Sequence, residues 1–176
     1  MKFNIFKYKI VQSTNKTAIR KINSGYENGI IISEKQSNGK GRYGRKWISA
    51  KGNLFTSIFF KINKNFSLRK VTSLNCNIIK LCLEKIVKKK IIIKPPNDML
   101  INSRKLCGIL QETFIFKNEI FMIVGIGINI VSSPKVNSYK TTYLNEHLMK
   151  KASKYQLFNN VKKIYEKKLN LFKKCI

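Results

Sequence analysis

The chain is 176 residues long, enough for one compact domain around a single core and too short for two ordinary ones. Its apolar share is 43%, no apolar run approaches the roughly 18 residues of a membrane span, and the alternating start MKFNIFKYKI reads as a strand and not a signal peptide, so the expected compartment is the cytoplasm. The formal charge of +28 suggests a polyanionic partner, but Arg stands only at 20, 42, 45, 69 and 104, and a Lys excess beside abundant Ile and Asn is the background of an AT-rich genome, so charge alone establishes no nucleic-acid surface.

Residues 3–11 read as a strand. Ser13 or Thr14 then caps a helix with Ala18, Ile19 and Ile22 on one face, ending near Gly25. GIIISEK at 29–35 is a short buried strand leading into a glycine-rich loop, and NLFTSIFFK at 53–61 has the β-branched and aromatic content of the next strand. Ser67 opens a long helix that carries Leu74, Ile78, Leu81 and Leu83 inward as far as about Lys90. IIIK at 91–94 is a further strand, ended by the turn-forming Pro95-Pro96-Asn97-Asp98. Two long strands, 104–116 and 119–130, are joined by the tight turn Lys117-Asn118. The last helix, about 153–174, sets Phe158, Val161, Tyr165 and Phe172 at helical spacing as core. With no internal linker, 1–176 is expected to form one domain. The order mixes hairpins with crossovers, which predicts an α+β fold: a mixed sheet flanked by helices, not a doubly wound parallel one.

Cysteine chemistry contributes little. Cys76, Cys82, Cys107 and Cys175 form no C-x-x-C pair, and His147 is the only histidine, so the paired ligands of a zinc site are missing. The thiols read as reduced bystanders.

Residues 38–53 read NGKGRYGRKWISAKGN, in which Gly39, Gly41 and Gly44 match G-x-G-x-x-G. A dinucleotide turn of that spacing opens a helix and is followed by an acid about 20 residues on. Here residues 45–61 are strand-like, interrupted by Gly52, and after Glu34 the next acid is Glu84. A Walker loop fails as well, because Arg45-Lys46-Trp47 follows Gly44. What remains is a basic loop. It concentrates four of nine glycines, two of five arginines and the chain's one Trp between 39 and 52, which a chain-wide Lys bias does not produce. Glycine lets backbone N–H groups close around an anion, guanidinium forks grip phosphate, and an indole offers a flat face to a purine. Two other windows gather scarce residues: KPPNDMLINSRKLCGIL (94–110), with two of three prolines and the only Asp, and IVGIGINI (123–130). Glycines inside a strand often mark close approach of a ligand. Asn97, Asp98 and Asn129 offer oxygens for a hydrated Mg²⁺ or a phosphate. The three windows read as walls of one pocket.

QSNGKGRYGRKW (36–47), KPPND (94–98) with RKLCGIL (104–110), and GIGIN (125–129) together closely resemble the catalytic core of biotin protein ligases. Their usual forms are Q-x-x-G-R-G-R-x-G-R-x-W, K-W-P-N-D, R-K-x-x-G-I-L and G-I-G-I-N, and the similarity runs from about Phe6 to Leu144. The resemblance implies a biotin/lipoate protein ligase-like, class II synthetase-like catalytic domain that uses ATP and Mg²⁺ to activate biotin as biotinoyl-5′-AMP. It then implies transfer to a lysine of a biotin carboxyl carrier protein. By the same resemblance Lys105 contacts the biotin carboxylate and the α-phosphate, and Arg42 retains the adenylate under a lid that orders on ligand binding. Arg45 and Trp47 serve the triphosphate and adenine. Ser13, Thr14 and Asn15, matching the family's S-T-N, hold the biotin head group with Gln36, beside Lys40, Gly41 and Gly108. Asn97, Asp98 and Asn129 serve the Mg²⁺–ATP side, Asp98 as the metal ligand.

Two positions depart from the pattern: Lys40 replaces the first Arg of the loop and loses its bidentate fork, and Pro95 replaces a Trp. No helix-turn-helix precedes Met1, so DNA binding is not expected, and the small C-terminal β-domain of many relatives is not expected either. The family often forms homodimers. Lipoate ligases and octanoyltransferases share the fold, but their glycine run precedes a His-Asp pair, whereas His147 here precedes Leu148. A basic RNA-binding module is the reading from a different class. It requires aromatics displayed on an open sheet face.

Overall fold

The computed structural model describes residues 2–172, with side chains through residue 168. Phe172 and Cys175, named above, fall outside the described side chains. Seven strands form one sheet in the order β1-β2-β3-β7-β6-β5-β4. β1 (Asn4–Val11) and β2 (Asn28–Gln36) are parallel, joined by α1 (Thr14–Asn23), as parallel neighbours require a crossover. All other pairings, from β3 (Leu54–Ile62) through β7 (Glu119–Ile128), β6 (Arg104–Phe116) and β5 (Asp98–Ile101) to β4 (Ile92–Lys94), are antiparallel. α2 (Leu68–Val87) and α3 (Lys154–Phe172) complete the fold.

The mixed sheet flanked by helices is the expected architecture, and most element positions agree. Ser67 caps α2 by accepting from the Lys70 N–H, and Lys117 and Asn118 both adopt positive φ, as the two-residue hairpin turn demands. Four expectations need correcting. Ser13 stands at the N-cap of α1, yet its hydroxyl makes no capping bond. Leu81 is 46% exposed, because the inward row of α2 runs through Ile78, Ile79, Cys82 and Leu83. Asp98 is not merely the end of a turn: it starts β5, a four-residue strand that joins β6 through Asn102 and Ser103, both at positive φ. Residues 45–53 are not strand either. There Gly52 turns the chain at φ +89, and Asn53 Oδ1 accepts from the N–H groups of Ile130 (2.8 Å) and Val131 (3.0 Å).

The two faces of the sheet are filled differently. Ile30, Ile58, Phe60, Val124, Ile126 and Ile128 point toward α2 and α3 and join Leu83, Val161 and Tyr165 in the main core. The opposite face carries α1, whose Ala18 and Ile22 cover Ile31, Phe59, Phe121 and Ile123. Beyond α1 that face is left open. Its cross-strand partners there, which project to one side, are Ser33, Phe55, Gly127, Gly108 and Asp98 in one row and Ile31, Ser57, Gly125 and Leu110 in the next.

Candidate active site

A cavity of about 570 Å³ occupies the open part of this face. Its walls come from all three windows singled out in the sequence, together with Ser13, Thr14, Asn15 and Gln36. The floor is the glycine row. A Cβ on Gly125 would collide with the Asn15 amide, and one on Gly127 would lie 2.5 Å from Trp47 Cε2, so these glycines admit side chains of the protein itself. Asn15 is fully engaged from there: Oδ1 accepts from Ser57 Oγ (2.5 Å) and Nδ2 donates to Glu112 Oε2 (2.6 Å).

Residues 39–47 fold over the mouth. Gly41 N donates to Arg45 O (2.6 Å) and Trp47 N to Gly39 O (2.9 Å), while Tyr43 (φ 55) and Gly44 (φ 72) reverse the chain between them. Arg42 lines the cavity and donates from Nη2 to the exposed Tyr43 hydroxyl (2.9 Å). Gln36 ties the loop's root to α1, because its Oε1 accepts from both the N–H (2.9 Å) and the hydroxyl (3.1 Å) of Thr14.

Lys105 stands at the centre. Its Nζ lies 2.8 Å from Asp98 Oδ1, 5.5 Å from the Trp47 ring centroid and 5.1 Å from that of Tyr139. The side chain is 16% exposed, and the backbone is fixed on both sides, with Lys105 N donating to Lys140 O and Lys105 O accepting from Thr142 N (2.9 Å each). Lys40, Arg42, Arg45 and Lys46 from the loop face Lys94, Lys105 and Lys140, and Asp98 is the only acid among the lining residues. Such a surface receives an anion of high charge.

Residues 8–129 match the family described as Biotin/lipoate A/B protein ligase family. The chain belongs to this family. It is 34% identical over 124 residues to the bifunctional ligase/repressor BirA of Escherichia coli, a match covering 69% of this chain and 39% of that protein. The Bacillus subtilis protein of the same name is 33% identical over 131 residues, 71% of this chain and 40% of the relative. The chain thus spans about two fifths of the length of these relatives. Among solved structures, biotin protein ligase from Aquifex aeolicus in complex with biotin and ATP superposes with TM-score 0.82 at 28% identity, covering 97% of this chain and 72% of that one. The Leishmania major biotin protein ligase in complex with biotin, at 22% identity and TM-score 0.78 over 92% and 72% of the two chains, shares the fold.

In this member of the Biotin/lipoate A/B protein ligase family, the cavity gathers Ser13, Thr14, Asn15, Gln36, Lys40, Gly41, Arg42, Arg45, Trp47, Asn97, Asp98, Lys105 and Gly108. Asn129 does not join them. It is buried next to the lining residues, where Nδ2 donates to Thr142 O (3.1 Å), its backbone bonds Leu106 and Leu144, and Oδ1 has no partner. Trp47 is half-buried in the cavity, its ring against Gly108 and Gly127, and is not displayed as the RNA-module arrangement requires.

Sequence reasoning missed Ser138, Tyr139 and Lys140 on the far wall. Their segment has neither glycine nor a motif, and it reaches the site only because Lys105 and Thr142 pair across the gap. Burial pushes the Cys76 and Cys82 thiols up to about 11 and holds the Cys107 thiol well above its ordinary value, which fits inert core residues.

Proposed function

We propose that the chain acts as one catalytic domain of a biotin protein ligase, forming biotinoyl-5′-AMP from biotin and ATP and passing the biotinoyl group to a lysine of a biotin carboxyl carrier protein. The observation that carries this reading is the setting of Lys105, a sheltered cation ringed by further cations over a cavity with one carboxylate.

In the first step a carboxylate oxygen of biotin bonds to the α-phosphorus, the bond to the β-phosphate bridging oxygen breaks, and pyrophosphate leaves with that electron pair. Both reactants are anions, so catalysis consists of positioning them and neutralising charge. Lys105 leaves Asp98 and takes the carboxylate and α-phosphate oxygens. Arg42 swings from Tyr43 to the adenylate, and Arg45 with Lys94 meets the polyphosphate. The Trp47 face serves the adenine, and Ser13 and Thr14 hydroxyls, near Gln36, serve the biotin head group. In the second step a neutral lysine amine attacks the acyl carbon, AMP departs, and the amine loses a proton.

A Mg²⁺ ion fits this donor set as one carried in by the triphosphate. Among the described residues no group of three His, Cys, Asp or Glu converges, and Mg²⁺ on a nucleotide needs only one or two protein carboxylates. Asp98, released by Lys105, is the residue to hold it, and the ion would neutralise the outer phosphates. β6 from Gln111 to Phe116 pairs only with β7, which leaves an edge for a homodimer. Cytoplasmic carboxylases are the fitting source of the carrier; no helix among the described residues is long and apolar enough to cross a membrane.

The test is pyrophosphate release with ATP, Mg²⁺ and either biotin or lipoate. Biotin-dependent release supports the proposal, and none at saturating biotin sinks it. Lys105→Ala is expected to lower that release by about 10²–10³-fold, the usual loss on removing one charge-stabilising group, with the melting temperature little changed.

A further inference from the structure

β7 is bonded to β3 on one side and β6 on the other, so its backbone at Gly127 has no room to retreat. Gly127 and Gly108 are direct cross-strand partners, and two missing side chains side by side leave one depression. The Trp47 indole fills it. A Cβ built on Gly127 would lie 2.5 Å from Cε2 and 2.6 Å from Cζ2, and one on Gly108 would lie 2.9 Å from Cζ3, all well inside van der Waals contact. Lys105 Nζ lies 5.5 Å from the centroid of the indole. The neighbours of Trp47 in the loop, Tyr43 to Lys46, are exposed, with Tyr43 at 82%.

We propose that Gly108 and Gly127 are positioning residues: together they form a socket, and seating Trp47 in it latches residues 39–47 over Lys105 and the cavity. The glycines act through Trp47. A glycine pair is required because a Cβ at either position intrudes on the ring, and the doubly paired backbone cannot yield instead. The consequence for the reaction, that an unlatched loop lets the adenylate escape, rests on the ligase reading. The latch itself does not.

The experiment uses the full chain without ligands. Trp47 is the only tryptophan, so its emission reports on the socket, and Lys40, Arg42, Arg45 and Lys46 are trypsin sites on the latched segment. Gly127→Ala is expected to shift the emission to the red and to speed cleavage within 40–46 by roughly tenfold, since cleavage follows the open population. Gly108→Ala moves both readouts the same way but less, because its Cβ would meet the ring less closely, at 2.9 Å from Cζ3, beside Lys105 Cε at 3.4 Å. Trp47→Ala matches Gly127→Ala in cleavage, and combining the two adds nothing further, as two changes to one contact should behave. Wild-type emission and cleavage in Gly127→Ala, or additive effects in the double variant, overturn the latch. If Gly127→Ala fails to fold, Trp47→Ala alone decides, and an unchanged cleavage rate overturns the proposal. With biotin and ATP, Gly127→Ala raises free adenylate relative to pyrophosphate. Absence of any pyrophosphate from the wild type would defeat the ligase reading and leave the latch standing.

Discussion

The two faces of the sheet obey different rules although they share every strand. On the α2 and α3 side, most inward positions of β3 are large and apolar, as at Leu54, Ile58 and Phe60 with Thr56 between them, and the core is continuous. On the α1 side the same strands carry Ser33, Ser57, Gly125, Gly127 and Gly108, and the space left by their small side chains becomes the cavity floor. The α2 and α3 face is thus packed throughout, whereas the α1 face is packed beneath α1 and leaves the cavity beyond it. Small residues in mid-strand weaken a sheet, and here the fully packed opposite face offsets the loss.

Ile58 of β3 and Asn15, the partner of its neighbour Ser57, give the sharpest test of that division. Ile58 is completely buried against α2 and α3, and Ile58→Ala is expected to destabilise the fold by about 2–5 kcal/mol through lost burial and an unfilled cavity. Below the lowered melting temperature, half-saturation by biotin should be unchanged. A large shift in half-saturation with little loss of stability would show that the faces are not separate.

Asn15→Ala addresses the other face. It leaves the buried Ser57 Oγ without its acceptor, frees the exposed Glu112 carboxylate and removes the group that Gly125 accommodates. Leaving such a buried group without its partner is expected to destabilise the protein by about 1–3 kcal/mol, less than Ile58→Ala, while weakening ligand binding more. Denaturant melts and biotin titration of both variants read the crossing directly. If Asn15→Ala binds biotin as the wild type does, Asn15 is merely structural.

This contrast also explains what the sequence disclosed. The filled face was readable because its residues repeat at strand and helix periods, and the glycine windows were readable because they break those periods with scarce residue types. β5 was hidden because Asp98 to Ile101 is too short for alternation to register, and its turn to β6 uses Asn102-Ser103 where a glycine would have signalled a hairpin. The purpose of Gly125 and Gly127 was also out of reach. Their spacing suggested a ligand against the backbone, whereas the partners that need the space, Asn15 and Trp47, come from distant segments. Tyr139 was missed for the same reason: its place beside Lys105 depends on a long-range backbone pairing that leaves no local pattern.

The smallest effect concerns that pairing. Thr142, whose N–H holds Lys105 O, gives its one hydroxyl proton to Glu146 Oε2 (2.7 Å), so His147 Nε2–H donates to the same hydroxyl oxygen (2.8 Å), and Arg104 Nη1 bonds Glu146 Oε1 (2.7 Å). Burial is the main cause holding His147 below its ordinary value of 6.5, with Lys89 and Arg104 acting in the same direction against Glu146. The bonds from Thr142 and Arg104 hold the Glu146 carboxyl below its ordinary 4.5. In both cases the unfolded chain takes up its proton first as pH falls. Stability is therefore full above pH 6.5, begins to decline below it through His147, and declines again below 4.5 through Glu146. His147→Gln keeps a donor near Thr142 without titrating, so its melting temperature should fall less than that of the wild type between pH 7.5 and 5.5. An equal fall in the two proteins would show that His147 does not carry the first step, and would remove the coupling from this brace to the strand that holds Lys105.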